Sequence, residues 1–218
     1  LSGIRFGKKH PMVLGAQETF LNKSISDVEI ILHFGKMSVG KNLLALVNDQ
    51  NASVQIHIDD CDEWANEGFQ TTINAKCNPI DFCDNLVENL SSISLDDNQL
   101  WVAELLALEK STWKLISNVI IEKNTEFSYV MQMMENLPEG ANLFVANSNS
   151  IRHVDQFARP MPKKVNVFAN RGASGIDGNL STALGISVSS SVPTVLLIGD
   201  LALMHDINAL FNVQKMNV

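Results

Sequence analysis

Short apolar runs alternate with helix-spaced apolar stretches along most of the chain. Val28, Ile30, Ile31 and Leu32 form the first run, which ends in His33-Phe34-Gly35-Lys36 and reads as a strand. Leu43, Leu44 and Val47 then recur at the spacing of one helix face and predict a helix over 40–48. Val54, Ile56 and Ile58 alternate over 53–58, a half-buried strand that ends in Asp59-Asp60. A short strand is expected at 72–75 and a helix over 79–90. A long segment over 95–122, one helix or two, opens with cap signals at Ser94, Asp96 and Asp97. A second series begins with a helix at 125–136, a turn at 137–140 and strands at 142–146 and 165–168. It continues through a glycine loop, an apolar helix, a strand at 194–198 and a further helix. The first 26 residues are basic and ambiguous, with a helix candidate at 16–22, and Met216-Asn217-Val218 reads as the start of another strand.

Strands that alternate with helices predict an α/β fold with parallel, Rossmann-like sheets. The expected division is a central domain over 1–94, a helical connection over 95–124 and part of a second α/β domain over 125–218. Both ends read as cut edges of a longer protein. Hydrophobic residues at 45% and charged residues at 18% suffice for buried cores. With 16 basic and 24 acidic residues the net charge is −8, which argues against bulk nucleic-acid or anionic-membrane binding. No apolar run approaches the ~20 residues of a membrane span, and no signal-peptide pattern is seen. Cys61, Cys77 and Cys83 lack C-x-x-C spacing and read as reduced thiols, so a cytoplasmic location is expected.

Candidate chemistry concentrates in the second series. Asp200 follows an apolar strand through Gly199 and opens a helix, a placement that suits one oxygen ligand to Mg²⁺ or, equally, a plain helix cap. Gly172, Gly175 and Gly178 recur every three residues; they would permit positive φ and close backbone approach to a ligand, or simply form a turn. Asn147 and Ser148 follow a strand, Arg152 comes next, and Arg171 follows another strand. Two arginines on one rim could clamp carboxylates bidentately, or pair with local acids such as Asp155 and Asp177. The five histidines lack zinc-site spacing and no G-x-S-x-G elbow occurs.

Three blocks carry the reading further: LFVANSNSIRHVDQF, NRGASGIDGNLSTALG and TVLLIGDLALMHDINAL. In sequence and spacing they resemble the 2-succinyl-5-enolpyruvyl-6-hydroxy-3-cyclohexene-1-carboxylate synthases, thiamine-diphosphate enzymes of the menaquinone pathway. ILHFGKMSVGKNLLALV and IHID resemble the central domain of that family more weakly. The resemblance implies a central domain followed by part of the pyrophosphate-binding domain. The reaction implied is decarboxylation of 2-oxoglutarate and addition of the product to isochorismate, with thiamine diphosphate and Mg²⁺, or Mn²⁺ in its place, as cofactors. By position, Asp200 matches the metal-binding acid, and Gly175, Gly199, Leu201 and Ala202 match cofactor contacts. Asn147, Ser148, Arg152, Arg171, Ile176 and, from the central domain, Lys41 match substrate contacts. Leu201 stands where most thiamine-diphosphate enzymes have glycine, a departure this family tolerates, and His33 stands where arginine is common. The activating glutamate and a second metal-binding segment are expected outside this chain, so the 218 residues alone are expected to be inactive. A homodimer or homotetramer is implied. The alternatives are another thiamine-diphosphate decarboxylase or carboligase, or a cofactor-binding piece without catalysis.

Overall fold

The computed structural model describes residues 3–7, 10–21, 28–48, 52–61, 68–92, 99–122 and 124–216. These form two compact units, one of residues 17–108 and one that joins residues 1–16 to 109–218. All strand pairing in both is parallel, in two α/β sheets.

The 17–108 unit contains α1 (Gln17–Phe20), β1 (Ile30–Phe34), α2 (Lys41–Asn48), β2 (Val54–Asp59), β3 (Ile73–Lys76) and α3 (Pro79–Leu90). Its sheet runs in the order β1-β2-β3, with Leu32 opposite Ile56 and Ile56 opposite Ile73. Period-two alternation sets Ile30, Leu32 and Phe34 on the same face as Val54, Ile56 and Ile58. Gln55 and His57 point to the other face and are buried, so each needs a partner. Gln55 Nε2 donates to the Val47 carbonyl at 2.7 Å, and the His57 ring nitrogens lie 2.9 Å from the Gly35 carbonyl and 3.1 Å from Asn74 Oδ1. The carboxylate of buried Glu18 accepts from the backbone N–H groups of Asn42 and Leu43 and so caps α2. Asn78 caps α3 through the Ile80 N–H, with Pro79 at the first helical position.

A continuous helix, α4 (Gln99–Glu122), follows. Ser94, Asp96 and Asp97, the expected cap signals, lie outside the described residues. The units differ from the expected boundaries of 94 and 124: α4 is divided between them at Leu108 and Glu109, and residues 1–16 group with the C-terminal part. Two anchors account for the second difference. Buried Arg5 donates from Nη1 to the Asp155 carbonyl and lies 3.5 Å from Asp155 Oδ1. Glu109 accepts from the N–H groups of Gly15 and Ala16 and from Trp113 Nε1.

The rest of that unit is α5 (Glu126–Asn136), β4 (Asn142–Val145), α6 (Asn149–Phe157), β5 (Asn166–Phe168), α7 (Asn179–Val188), β6 (Thr194–Leu197), α8 (Asp200–His205) and α9 (Val213–Met216). Met216, expected to begin a strand, instead ends the short helix α9, and residues 217–218 lie outside the described residues. The sheet order is β5-β4-β6, and every residue of the central strand β4 is buried. Thr125 and Ser128 form a reciprocal capping box that fixes the start of α5. Phe127 stacks on Phe157 at 4.8 Å and packs α5 on α6. The helix α6 is not evident from motifs, because the segment is polar; the buried spacing of Ile151, Val154 and Ala158 is its signal.

Candidate active site

The order β5-β4-β6 reverses direction at β4, and parallel connections are right-handed. The connections through α6 and α7 therefore leave on opposite faces, which opens a crevice at the carboxyl ends of the strands. A cavity of about 1080 Å³ lies there, at the upper end of small-molecule sites.

The carboxyl end of β4 supplies Asn147 and Ser148. Ser148 has φ +66° and ψ −129°, a left-handed backbone for a residue with a side chain, which costs about 1–3 kcal/mol. It occupies the N-cap position of α6, yet its side chain makes no capping bond. The hydroxyl and the first N–H groups of α6 are thus left for another acceptor. Arg152 lies on α6 rather than at a strand end, one turn in from Ser148, and lines the same cavity.

The carboxyl end of β5 leads to Arg171, whose Nη1 donates to Asn147 Oδ1 at 3.1 Å. Asn147 Nδ2 in turn donates to the Gly175 carbonyl at 2.9 Å. The alternative in which these arginines pair with local acids such as Asp155 or Asp177 is not what forms among the described residues. Asp155 meets Arg5, Asp177 lies 3.0 Å from His205, and Arg152 has no ion pair among the described residues. Of the three spaced glycines, Gly178 alone has positive φ, at +66°. A side chain at Gly172 would meet nothing and at Gly175 would make an ordinary contact, so the fold itself does not demand glycine at either. Ile176 stands 41% exposed in the cavity wall.

The carboxyl end of β6 carries Gly199, the N-cap of α8, and Asp200 as the first helical residue. The alternative of Asp200 as the cap is therefore not realised. Its carboxylate is exposed at the cavity and makes no hydrogen bond among the described residues. Leu201 and Ala202 complete this wall. Lys41 belongs to the other unit, where it opens α2 and is exposed.

Several cavity residues carry no motif. Glu126, Tyr129 and Val130 come from the first turns of α5, and His153 Nδ1 lies 3.7 Å from Glu126 Oε2. Asn179, fully buried at the start of α7, also lines the cavity. Only tertiary packing brings these helices to the strand ends.

No family model matches the chain. Curated relatives do, over nearly all of it. The 2-succinyl-5-enolpyruvyl-6-hydroxy-3-cyclohexene-1-carboxylate synthase of Roseiflexus castenholzii is 33% identical over 222 residues, covering 100% of this chain and 37% of that protein. The synthase of the same name from Bacillus cytotoxicus is 35% identical over 216 residues, 96% of this chain and 36% of that protein. That of Enterococcus faecalis is 31% identical over 224 residues, 97% of this chain and 37% of that protein. Over nearly its whole length the chain is thus related to synthases of this family. It spans a little over a third of the length of the synthases it matches, with 37% of the first covered. No described helix is long and apolar enough to cross a membrane.

Proposed function

We propose that the protein carrying this chain is a thiamine-diphosphate- and Mg²⁺-dependent synthase of menaquinone biosynthesis. It decarboxylates 2-oxoglutarate and joins the remaining four-carbon unit to isochorismate. The observation that carries this reading is one cavity faced by two arginines and an uncommitted carboxylate, in a chain related to synthases of that name.

The residues present suit these groups. Asp200 offers the hard oxygen donor that Mg²⁺ takes, and phosphate and water oxygens would complete the shell; Mn²⁺ accepts the same donors. Gly199, Leu201 and Ala202 leave backbone at the start of α8 open to a diphosphate. Thiamine diphosphate, when bound, supplies the electron sink for decarboxylation. Both substrates carry carboxylates, and Arg152 and Arg171 hold them in fork geometry. The uncapped Ser148 hydroxyl donates to a carboxylate oxygen beside them. Asn147 keeps Arg171 aimed along the rim, and Ile176 gives the apolar part of the substrate a surface. Activity is expected from a homodimer or homotetramer.

The test uses the full-length protein with thiamine diphosphate, Mg²⁺, 2-oxoglutarate and isochorismate, following isochorismate loss by absorbance. Loss should require all four components. Arg152→Ala and Arg171→Ala should each lower kcat/KM about tenfold to a hundredfold, as loss of a charge-assisted hydrogen bond does. Turnover of an apolar 2-oxo acid that ignores both replacements would move the assignment to another decarboxylase or carboligase.

A further inference from the structure

Beside the cavity, one buried polar atom lacks a partner: Asn179 Oδ1. Asn179 is 0% exposed and follows Gly178, which turns the chain into α7 with a left-handed backbone. Its Nδ2 donates to the Ile176 carbonyl at 2.8 Å and lies 3.3 Å from the Gly175 carbonyl and 3.5 Å from that of Asp177. Three carbonyls dictate the orientation of the amide, because turning it over would set an oxygen against three oxygens. Oδ1 is thereby held in the interior with no donor, at a cost to stability of the order of a lost hydrogen bond. Leucine, branched at the same carbon, would remove that cost and, with it, the Nδ2 donor that the Ile176 carbonyl receives. What asparagine keeps here is the bond to the loop.

What the amide supplies is a hold on the loop. Residues 171–177 are all exposed, and no hydrophobic burial fixes them. Among the described residues, side-chain donors reach the loop carbonyls from Asn147 and from Asn179, and both converge on Gly175. Asn147 grips from the cavity side and Asn179 from beneath. The backbone between them carries Ile176 into the cavity wall.

We propose that Asn179 is a positioning residue for the cavity: its amide fixes backbone 175–177 and so sets where Ile176 meets the ligand. It acts through the loop, since the side chain is fully buried and its Nδ2 is committed to the loop carbonyls. The kinetic part of the proposal rests on the synthase reading above; the structural part does not.

The experiment compares N179L, with N179A as a smaller second variant, against the full-length protein. Three quantities are read: kcat/KM for 2-oxoglutarate and isochorismate, melting temperature, and amide hydrogen exchange across 172–188. The expected result is a loss of about tenfold in kcat/KM from a misplaced contact. It comes with an unchanged or higher melting temperature in N179L and faster exchange at 175–177 than in α7. Unchanged kcat/KM, unchanged exchange, or a melting temperature that falls in step with activity overturns the proposal. Where the parental protein does not turn over these substrates, the synthase reading fails on its own. Exchange at 175–177 then decides the role of Asn179: faster exchange upholds it and unchanged exchange overturns it.

Discussion

Among the described residues the two sheets have the same number of strands and the same polarity, and the cavity described above lies on the second. In β1-β2-β3 the chain steps in one direction, whereas in β5-β4-β6 it reverses at the middle strand. Reversal splits the crossover helices between the two faces and leaves room above the strand ends. The strand ends differ chemically as well. At the end of β2 stand Asp59, Asp60 and Cys61, which satisfy one another: Asp59 accepts the Cys61 N–H at 2.7 Å and the Cys61 thiol donates to Asp60. That N–H holds the Asp59 carboxyl below its usual range, and the Asp60 carboxylate pushes the Cys61 thiol up, away from the reactive thiolate. Past β4, β5 and β6 come a strained serine, an arginine and an unbonded aspartate. One unit closes its polar groups onto themselves, and the other holds them open. The lesson is that shared strand polarity leaves the site undecided; strand order and unspent hydrogen bonding decide it.

This contrast can be broken from either side. The largest effect is expected at Asp200. In the full-length protein, Asp200→Asn should cost about a hundredfold or more in Mg²⁺-dependent turnover, as a direct metal ligand exceeds the tenfold to hundredfold of outer-shell partners. Its melting temperature should stay within a degree or two, because the side chain is exposed and forms no hydrogen bond among the described residues. A thermal scan beside a metal titration checks both; a large fall in melting temperature would make Asp200 structural.

Gly40→Ala should act in the opposite sense, on stability. A Cβ there would come 2.0 Å from Glu18 Oε1 and displace the carboxylate that caps α2. Loss of such a cap costs about 1–2 kcal/mol, readable as a lower denaturant midpoint at an unchanged slope.

The smallest effect is a pH dependence that arises in the 17–108 unit. Burial, and then the neighbouring His57, holds His33 below its ordinary value of 6.5, against the opposing pull of the Lys36 backbone and Asp59. The unfolded chain therefore takes up a proton at His33 before the folded one does, so stability is present above pH 6.5 and is lost as pH falls below it. Denaturant titrations between pH 7 and 5 should show a decline that His33→Asn flattens. An identical slope in both proteins would remove His33 as its source.

Much of the architecture was legible because local chemistry and tertiary role agree. The helix α3 occupies 79–90 as expected, since Asn78 and Pro79 fix its start whatever packs on it. The strands were readable within one or two residues from alternation or from continuous apolar runs. The cavity lining was legible where it lies near strand ends, at Ser148, Arg171 and Asp200. It was not legible in Tyr129, His153 or Asn179, which reach the cavity by helix packing and share no spacing. Nor could the sequence place residues 1–16, whose anchor pairs Arg5 with a carboxylate 150 positions away. The glycine spacing was legible only in part: Gly178 has the positive φ that the spacing suggests, whereas Gly172 and Gly175 have neither the backbone nor the crowding that requires glycine.

Strand order also has a kinetic consequence. Ile30 pairs with Val54 and Asn142 with Asn166, each across 24 positions, but Asn142 pairs with Thr194 across 52. Closing the longer loop carries the greater entropic penalty, and such contacts form late. Of these two neighbours of β4, β6, the one that delivers Asp200, would then dock after β5. The rim residues that follow β4 and β5 would then meet before Asp200 joins them.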